Sequence, residues 1–239
     1  MYLQVLLSMV SLITISFCSV KEQTEMEQET PAGANTRNLR YLALGDSYTI
    51  GEGVPANESW PVLLSDALAG FGFPVEETQI IASTGWTTAD LKAGIVRAAP
   101  ESPFDLVSLL IGVNNQYRGV DLGYTQDDYH DEFAELLQMA IGFAGGNPHN
   151  VFVVSIPDYS VTQFVSGSDR ERVASEINEY NNINRQIAKS LSVKYFDITP
   201  VSRLAEDNPE LLASDRLHPS GKMYGMWVEM MVPDILKIL

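Results

Sequence analysis

One cysteine, three histidines and 15 basic side chains are few for a chain of 239 residues, and each shortage closes off a class of chemistry. With Cys18 alone, no intramolecular disulfide and no cysteine-based zinc site can form. With only His130, His149 and His218, any histidine-dependent chemistry has three candidates. Lys and Arg form no cluster, and against 31 acidic residues they leave a net charge of −16. Nucleic-acid binding needs grouped cations to displace counterions from phosphate, so that partner is excluded, and anionic membrane surfaces are disfavoured. What the chain does have is apolar content: at 45% hydrophobic residues it can offset the entropy of folding, and its length suits one α/β domain.

Residues 1–20 carry no charged side chain and read as an export signal. The stretch ISFC resembles a lipoprotein signal box in which Cys18 is lipidated, with an uncleaved N-terminal anchor as the other reading. Either way the domain is exported, and membrane contact is expected only through this N-terminal lipid or anchor. Residues 21–37 are polar, Glu-rich and aperiodic, as a disordered tether would be. Setting aside Lys21, Arg37 and the four glutamates of that tether leaves 13 basic and 27 acidic residues from Asn38 onward, a net −14 carried by the domain itself.

From Leu39 on, short apolar runs alternate with longer stretches of helical periodicity, the pattern of a parallel sheet with crossover helices. The runs at 41–45, 78–82, 105–112, 151–156 and 193–198 read as strands, apolar on both faces. Helices are expected over 60–70 with Ser59 as cap, over 89–98 with Thr87 or Thr88 as cap, and from Thr125 to the Gly145–Gly146 pair. A long polar helix is expected over 169–191, and a last one from Ser220, bent at Pro233. One doubly wound domain then covers 38–239.

Ligands of open parallel sheets bind beyond the carboxyl ends of the strands, so the loops there are where chemistry is expected. GDSYTIGEG (45–53) delivers Ser47 after a glycine turn. STGWTT (83–88) puts Gly85 ahead of a helix N-terminus, where free N–H groups point outward. GVNNQYRG (112–119) offers the amides of Asn114 and Asn115, and DRLHPSG (215–221) holds Asp215 and His218 three residues apart. Together these supply a nucleophile, hydrogen-bond donors and a base with its orienter. Turn and capping duty explains each motif singly just as well. Asp127 and His130 repeat the Asp-x-x-His spacing at the start of a helix, where the aspartates suit the dipole and His130 reads as a solvated residue.

Taken in order, GDSYT, Gly85, GVNN and DRLHPS resemble the four sequence blocks of the SGNH (GDSL) hydrolase superfamily. No Gly-x-Ser-x-Gly is present, which argues separately against the α/β-hydrolase elbow. The resemblance implies a three-layer flavodoxin-like fold with a five-stranded parallel sheet of order 2-1-3-4-5. It implies a serine esterase of acyl esters or thioesters in which Ser47 is nucleophile, His218 base and Asp215 its orienter. The oxyanion hole it implies comprises the N–H groups of Ser47 and Gly85 with the Asn114 amide, and neither metal nor organic cofactor is implied. Asn115 stands where the family's third block has aspartate, so altered loop hydrogen bonding is expected there.

Specificity is expected in the loops 115–124 and 157–168. Tyr117 and Arg118 belong to the first; in the second, Tyr159, Val161, Phe164 and Val165 are candidates for an acyl pocket. Arg118 either holds an anionic leaving group or makes a plain surface salt bridge. Lysophospholipase-like or short-chain esterase activity is the leading expectation, on a small-molecule or lipid ester. Carbohydrate O-acetylesterase and thioesterase are the alternatives, and a non-catalytic exported binding module is the reading of a different class. The acidic domain suits a neutral or zwitterionic substrate, and a monomer is expected.

Overall fold

A computed structural model describes residues 38–123 and 125–239; the expected export signal with Cys18 and the tether lie outside the described residues. In chain order, the strands are β1 (Leu39–Gly45), β2 (Val75–Ala82), β3 (Leu106–Leu110), β4 (Val151–Val154) and β5 (Lys194–Phe196). The helices are α1 (Ser47–Ile50), α2 (Trp60–Gly70), α3 (Thr88–Ala98), α4 (Val113–Leu122), α5 (Gln126–Phe143), α6 (Arg170–Ser190), α7 (Thr199–Arg203) and α8 (Gly221–Ile235). All strand pairs are parallel and the order is β2-β1-β3-β4-β5, as the resemblance implies.

The sheet is covered on both sides, α2 packing with α8, and α3, α5 and α6 packing in succession. Strands β3 and β4 are buried at every residue, which is why they read as unbroken apolar runs. Phe152 of β4 lies against Tyr41, Trp60 and Phe196, with ring centroids 5.6–6.4 Å apart. Each such fully buried side chain contributes about 1.5–3 kcal/mol.

Strand β2 departs from the expectation of two apolar faces. It is the edge strand next to β1, and it begins earlier than expected: Val75 pairs with Leu39 and Glu77 with Arg40 across a shift of register, and Glu77 meets Arg40 Nε at 2.7 Å. An edge tolerates such polar residues, so the apolar run understates the strand. Strands β3, β4 and β5 are shorter than expected, because after Leu110 and Val154 the chain leaves the ladder to build loops.

Thr87, with Asp90, forms a reciprocal capping box on α3, and Thr125 with Asp128 does the same on α5. Ser59 stands at the cap position of α2 but donates its hydroxyl back to the Ala56 carbonyl at 2.9 Å, so it does not cap. Helix α8 runs through Pro233 to Ile235. The largest correction is α4: residues expected as a substrate loop form a helix that starts on the Gly112 carbonyl and carries Asn114, Asn115, Tyr117 and Arg118.

Candidate active site

Gly45 ends β1 where a side chain has no room: a Cβ there would sit 2.1 Å from Thr49 Oγ1 and 2.5 Å from the Leu110 carbonyl oxygen. The chain therefore turns sharply past β3 and presents Ser47 at the start of α1. Asp46 caps this short helix, its Oδ1 accepting from the Tyr48 N–H at 3.0 Å. Asp46 is fully buried and its Oδ2 has no partner. Burial pushes its carboxyl up to about 7 against the pull of the Tyr48 N–H.

This has a consequence for stability. Between the ordinary value of 3.8 and about 7, the folded chain retains a proton that the unfolded chain has lost, so stability falls as pH rises through that window. Asp46→Asn should remove the slope. Its melting temperature relative to the wild type should rise between about pH 4 and about pH 8, and a difference independent of pH would count against this assignment.

From Ser47 a continuous relay leads outward. Ser47 Oγ lies 2.9 Å from His218 Nε2, and His218 Nδ1 lies 2.6 Å from Asp215 Oδ2. The other oxygen, Asp215 Oδ1, accepts from the N–H groups of Leu217 at 2.9 Å and His218 at 3.0 Å. The loop is closed by the Ala213 N–H on the His218 carbonyl at 2.8 Å, with Arg216 in the left-handed region at φ 59°. Ser47 and His218 are buried while the Asp215 side chain is 36% exposed. Burial alone would raise the Asp215 carboxyl, but the hydrogen bonds with His218 and the backbone N–H groups outweigh it and hold it below the usual carboxylate range. The Tyr48 ring packs on the imidazole with centroids 5.2 Å apart.

Ser47, Gly85, Asn114 and His218 share one cavity of about 150 Å³. Gly85 has φ 80°, and nothing lies within 4 Å of where a Cβ would be, so its backbone faces open space. Asn114 donates through Nδ2 to the Trp86 carbonyl at 3.0 Å, which ties α4 to the turn before α3. The walls are Tyr48, Val113, Tyr117, Tyr159, Phe164 and Leu217. Tyr117, Tyr159 and Phe164 meet ring to ring at 5.6–6.4 Å and separate this cavity from a wider hollow of about 660 Å³ lined by Arg172 and Glu176. Tyr159 is fixed from behind by its hydroxyl, which donates to Gln116 Oε1 at 2.7 Å, while Gln116 Nε2 donates to Glu176 at 2.6 Å.

Several candidates fall elsewhere. Val161 and Val165 line neighbouring hollows and not the Ser47 cavity, because the chain after Asp158 turns through a short 3-10 segment anchored by the Asp158–Arg203 pair at 2.8 Å. Arg118 is turned from the cavity: its Nη2 donates to the Gly85 carbonyl and approaches Asp90 at 3.4 Å. His130 is exposed on α5 and its Nδ1 meets Asp131 at 3.0 Å, so the second Asp-x-x-His spacing forms no dyad with Asp127. Asn115 is fully buried; its Oδ1 accepts from the Thr88 N–H at 3.0 Å and its Nδ2 donates to the Thr88 hydroxyl at 2.6 Å. That hydroxyl donates in turn to Glu132, so the carboxylate of this network sits on α5 and residue 115 supplies an amide. Tyr48 and Gln116 had no sequence signal; their roles arise from packing. Among the described residues, no group of three or more His, Cys, Asp or Glu is placed to hold a metal.

Residues 43–226 match the family model described as the GDSL-like Lipase/Acylhydrolase family. An arylesterase from Vibrio mimicus is 36% identical over 89 residues, which cover 37% of this chain and 44% of the relative, so the match spans less than half of that protein. The solved structure of TesA superposes with a TM-score of 0.63 at 19% identity, over 84% of this chain and 99% of TesA. A variant of Axe2, an acetyl xylan esterase from Geobacillus stearothermophilus, superposes with a TM-score of 0.62 at 20% identity, over 82% of this chain and 94% of Axe2. At these identities the structural likenesses speak for the fold.

Proposed function

The chain belongs to the GDSL-like lipase/acylhydrolase family, and from that premise we propose that it is an ester-bond hydrolase that cleaves short-chain carboxylic esters through an acyl-enzyme on Ser47. The observation that carries the reading is the unbroken line of hydrogen bonds from Ser47 through His218 to Asp215. Ser47 Oγ attacks the ester carbonyl as His218 Nε2 takes its proton, and Asp215 holds the imidazole tautomer and stabilises the imidazolium. The negative charge that develops on the carbonyl oxygen is met by the N–H groups of Ser47 and Gly85 and the Asn114 amide. The alcohol leaves with the proton held by His218, and water, deprotonated by the same nitrogen, releases the acid.

The size of the acyl group follows from the cavity. About 150 Å³ is small beside the roughly 300–1,000 Å³ of pockets that enclose drug-sized ligands. Acetyl and butyryl esters fit that volume better than a long lipid chain. The p-nitrophenyl ester series tests this directly: kcat/KM should be highest for acetate or butyrate and fall towards octanoate, and a rise with chain length would favour a lysophospholipase-like substrate. A carbohydrate O-acetylesterase is the second reading. It is favoured by the exposed rings of Tyr117 and Phe164 at the cavity mouth beside the 660 Å³ hollow, which leave room for a bulky alcohol. We take the enzyme to be exported, on the sequence of residues 1–20 alone.

A further inference from the structure

We propose that Arg118 is a positioning residue that fixes the Gly85 peptide for oxyanion binding. The proposal rests on the acyl-enzyme reading above. Asn114 and Arg118 are four residues apart on α4 and so share one helical face. They take two successive carbonyls of the same turn: Arg118 Nη2 donates to that of Gly85, and Asn114 Nδ2 to that of Trp86 at 3.0 Å.

The turn needs such support. Gly85 sits at φ 80° beside open space, so it has no side chain of its own to pack and the widest conformational freedom of any residue type. Its N–H belongs to the Thr84–Gly85 peptide and its carbonyl to the Gly85–Trp86 peptide, so anchoring the chain on both sides of the residue limits how the N–H can turn. On one side the Thr84 hydroxyl donates to Glu52, and on the other the Gly85 carbonyl is held by Arg118. The guanidinium is itself steadied by Asp90 at 3.4 Å, whose Oδ2 also accepts from the Thr87 N–H at 3.0 Å and the Thr87 hydroxyl at 2.9 Å. This chain of contacts leaves Nη2 engaged away from the substrate. It also sets a fixed positive charge beside the turn where negative charge develops, in a protein of net charge −16.

The test compares Arg118→Met, Arg118→Lys and Asn114→Ala with the wild type, using p-nitrophenyl acetate and an alkyl boronic acid that adds to Ser47 as a tetrahedral mimic. Arg118→Met should lower kcat by about 10- to 10²-fold with KM little changed, the scale of a small misplacement of catalytic groups. Its affinity for the boronic acid should weaken in step, while inhibition by the free acid product stays the same. Arg118→Lys should recover part of the loss, since an ammonium keeps the charge and a donor for the carbonyl but lacks the planar guanidinium that holds the donor in one orientation. Should Arg118→Met fail to fold, Asp90→Asn, which keeps an acceptor for the Thr87 cap, should reproduce a smaller loss of the same kind.

Asn114→Ala separates this proposal from the reading beneath it, because loss of one oxyanion donor should cost about 10²- to 10³-fold in kcat. If that loss appears and Arg118→Met keeps full kcat and boronate affinity, the Arg118 proposal is overturned alone. If kcat falls while boronate affinity holds, it is likewise overturned. If Asn114→Ala is as active as the wild type, the oxyanion assignment itself fails.

Discussion

His218→Ala is expected to lower kcat by about 10⁶-fold, while His130→Ala leaves it near the wild-type value. The contrast is demanding because both histidines follow an aspartate by three residues, at Asp215 and Asp127. Among the described residues, His218 alone of the two has a ring nitrogen on a serine, 2.9 Å from Ser47 Oγ, and its other nitrogen meets the aspartate three residues before it, at 2.6 Å. Without that imidazole, a neutral alcohol must attack with no acceptor for its proton, and the leaving alkoxide must depart with no donor. His130 lies exposed on α5 with its ring against Asp131, so its removal takes nothing from the reaction. Steady-state kinetics on p-nitrophenyl acetate, with melting curves for both variants, measures the difference. Equal losses, or the larger loss at His130, would overturn the assignment.

Asp215→Asn should lower kcat by about 10⁴-fold with little change in KM. The mechanism of the loss is specific. Asp215 Oδ1 accepts from two backbone N–H groups, of Leu217 and His218, so an asparagine would keep its carbonyl oxygen there and the loop would keep its shape. The amide nitrogen would then face His218 Nδ1 in place of Oδ2. As a donor, it selects the tautomer with the proton on Nε2, which points an N–H at Ser47 Oγ where a lone pair is needed. A folded variant with nearly intact substrate affinity and very low turnover is the expected result. Asp215→Asn at more than about a tenth of the wild-type kcat would show that the carboxylate does not set the tautomer.

Much of this could be read from the sequence, because each candidate follows a strand. Ser47, Gly85 and Asn114 lie just past the carboxyl ends of β1, β2 and β3, where a parallel sheet must place its ligand site. The buried strands β3 and β4 were legible as apolar runs, whereas the polar edge residues of β2 were hidden by their own exposure. The strand order came with the family resemblance, since periodicity does not specify it.

Helix α4 was not legible. Asn114, Asn115 and Gly119 are poor helix formers, and the segment is fastened by contacts remote in sequence: Asn115 to Thr88, Asn114 to Trp86 and Arg118 to Gly85. Tertiary bonds here override propensity. The same remoteness hid Arg118, whose partner is a backbone carbonyl 33 residues away. The placement of Val161 and Val165 was not legible, because composition cannot say which way a loop faces; the ion pair of buried Asp158 with the half-buried Arg203 anchors that turn.

The central claim is that Ser47 is a nucleophile activated by His218 within this fold. A fluorophosphonate tests it most directly, since Ser47 Oγ would form a P–O bond with loss of fluoride, and an unactivated serine does not react. Mass spectrometry of the digested protein should find one adduct, on the peptide that carries Ser47. It should be absent from Ser47→Ala and strongly slowed in His218→Ala, with ester hydrolysis lost in parallel. A wild-type protein that hydrolyses esters yet carries the adduct on another residue, or none at all, would contradict the account.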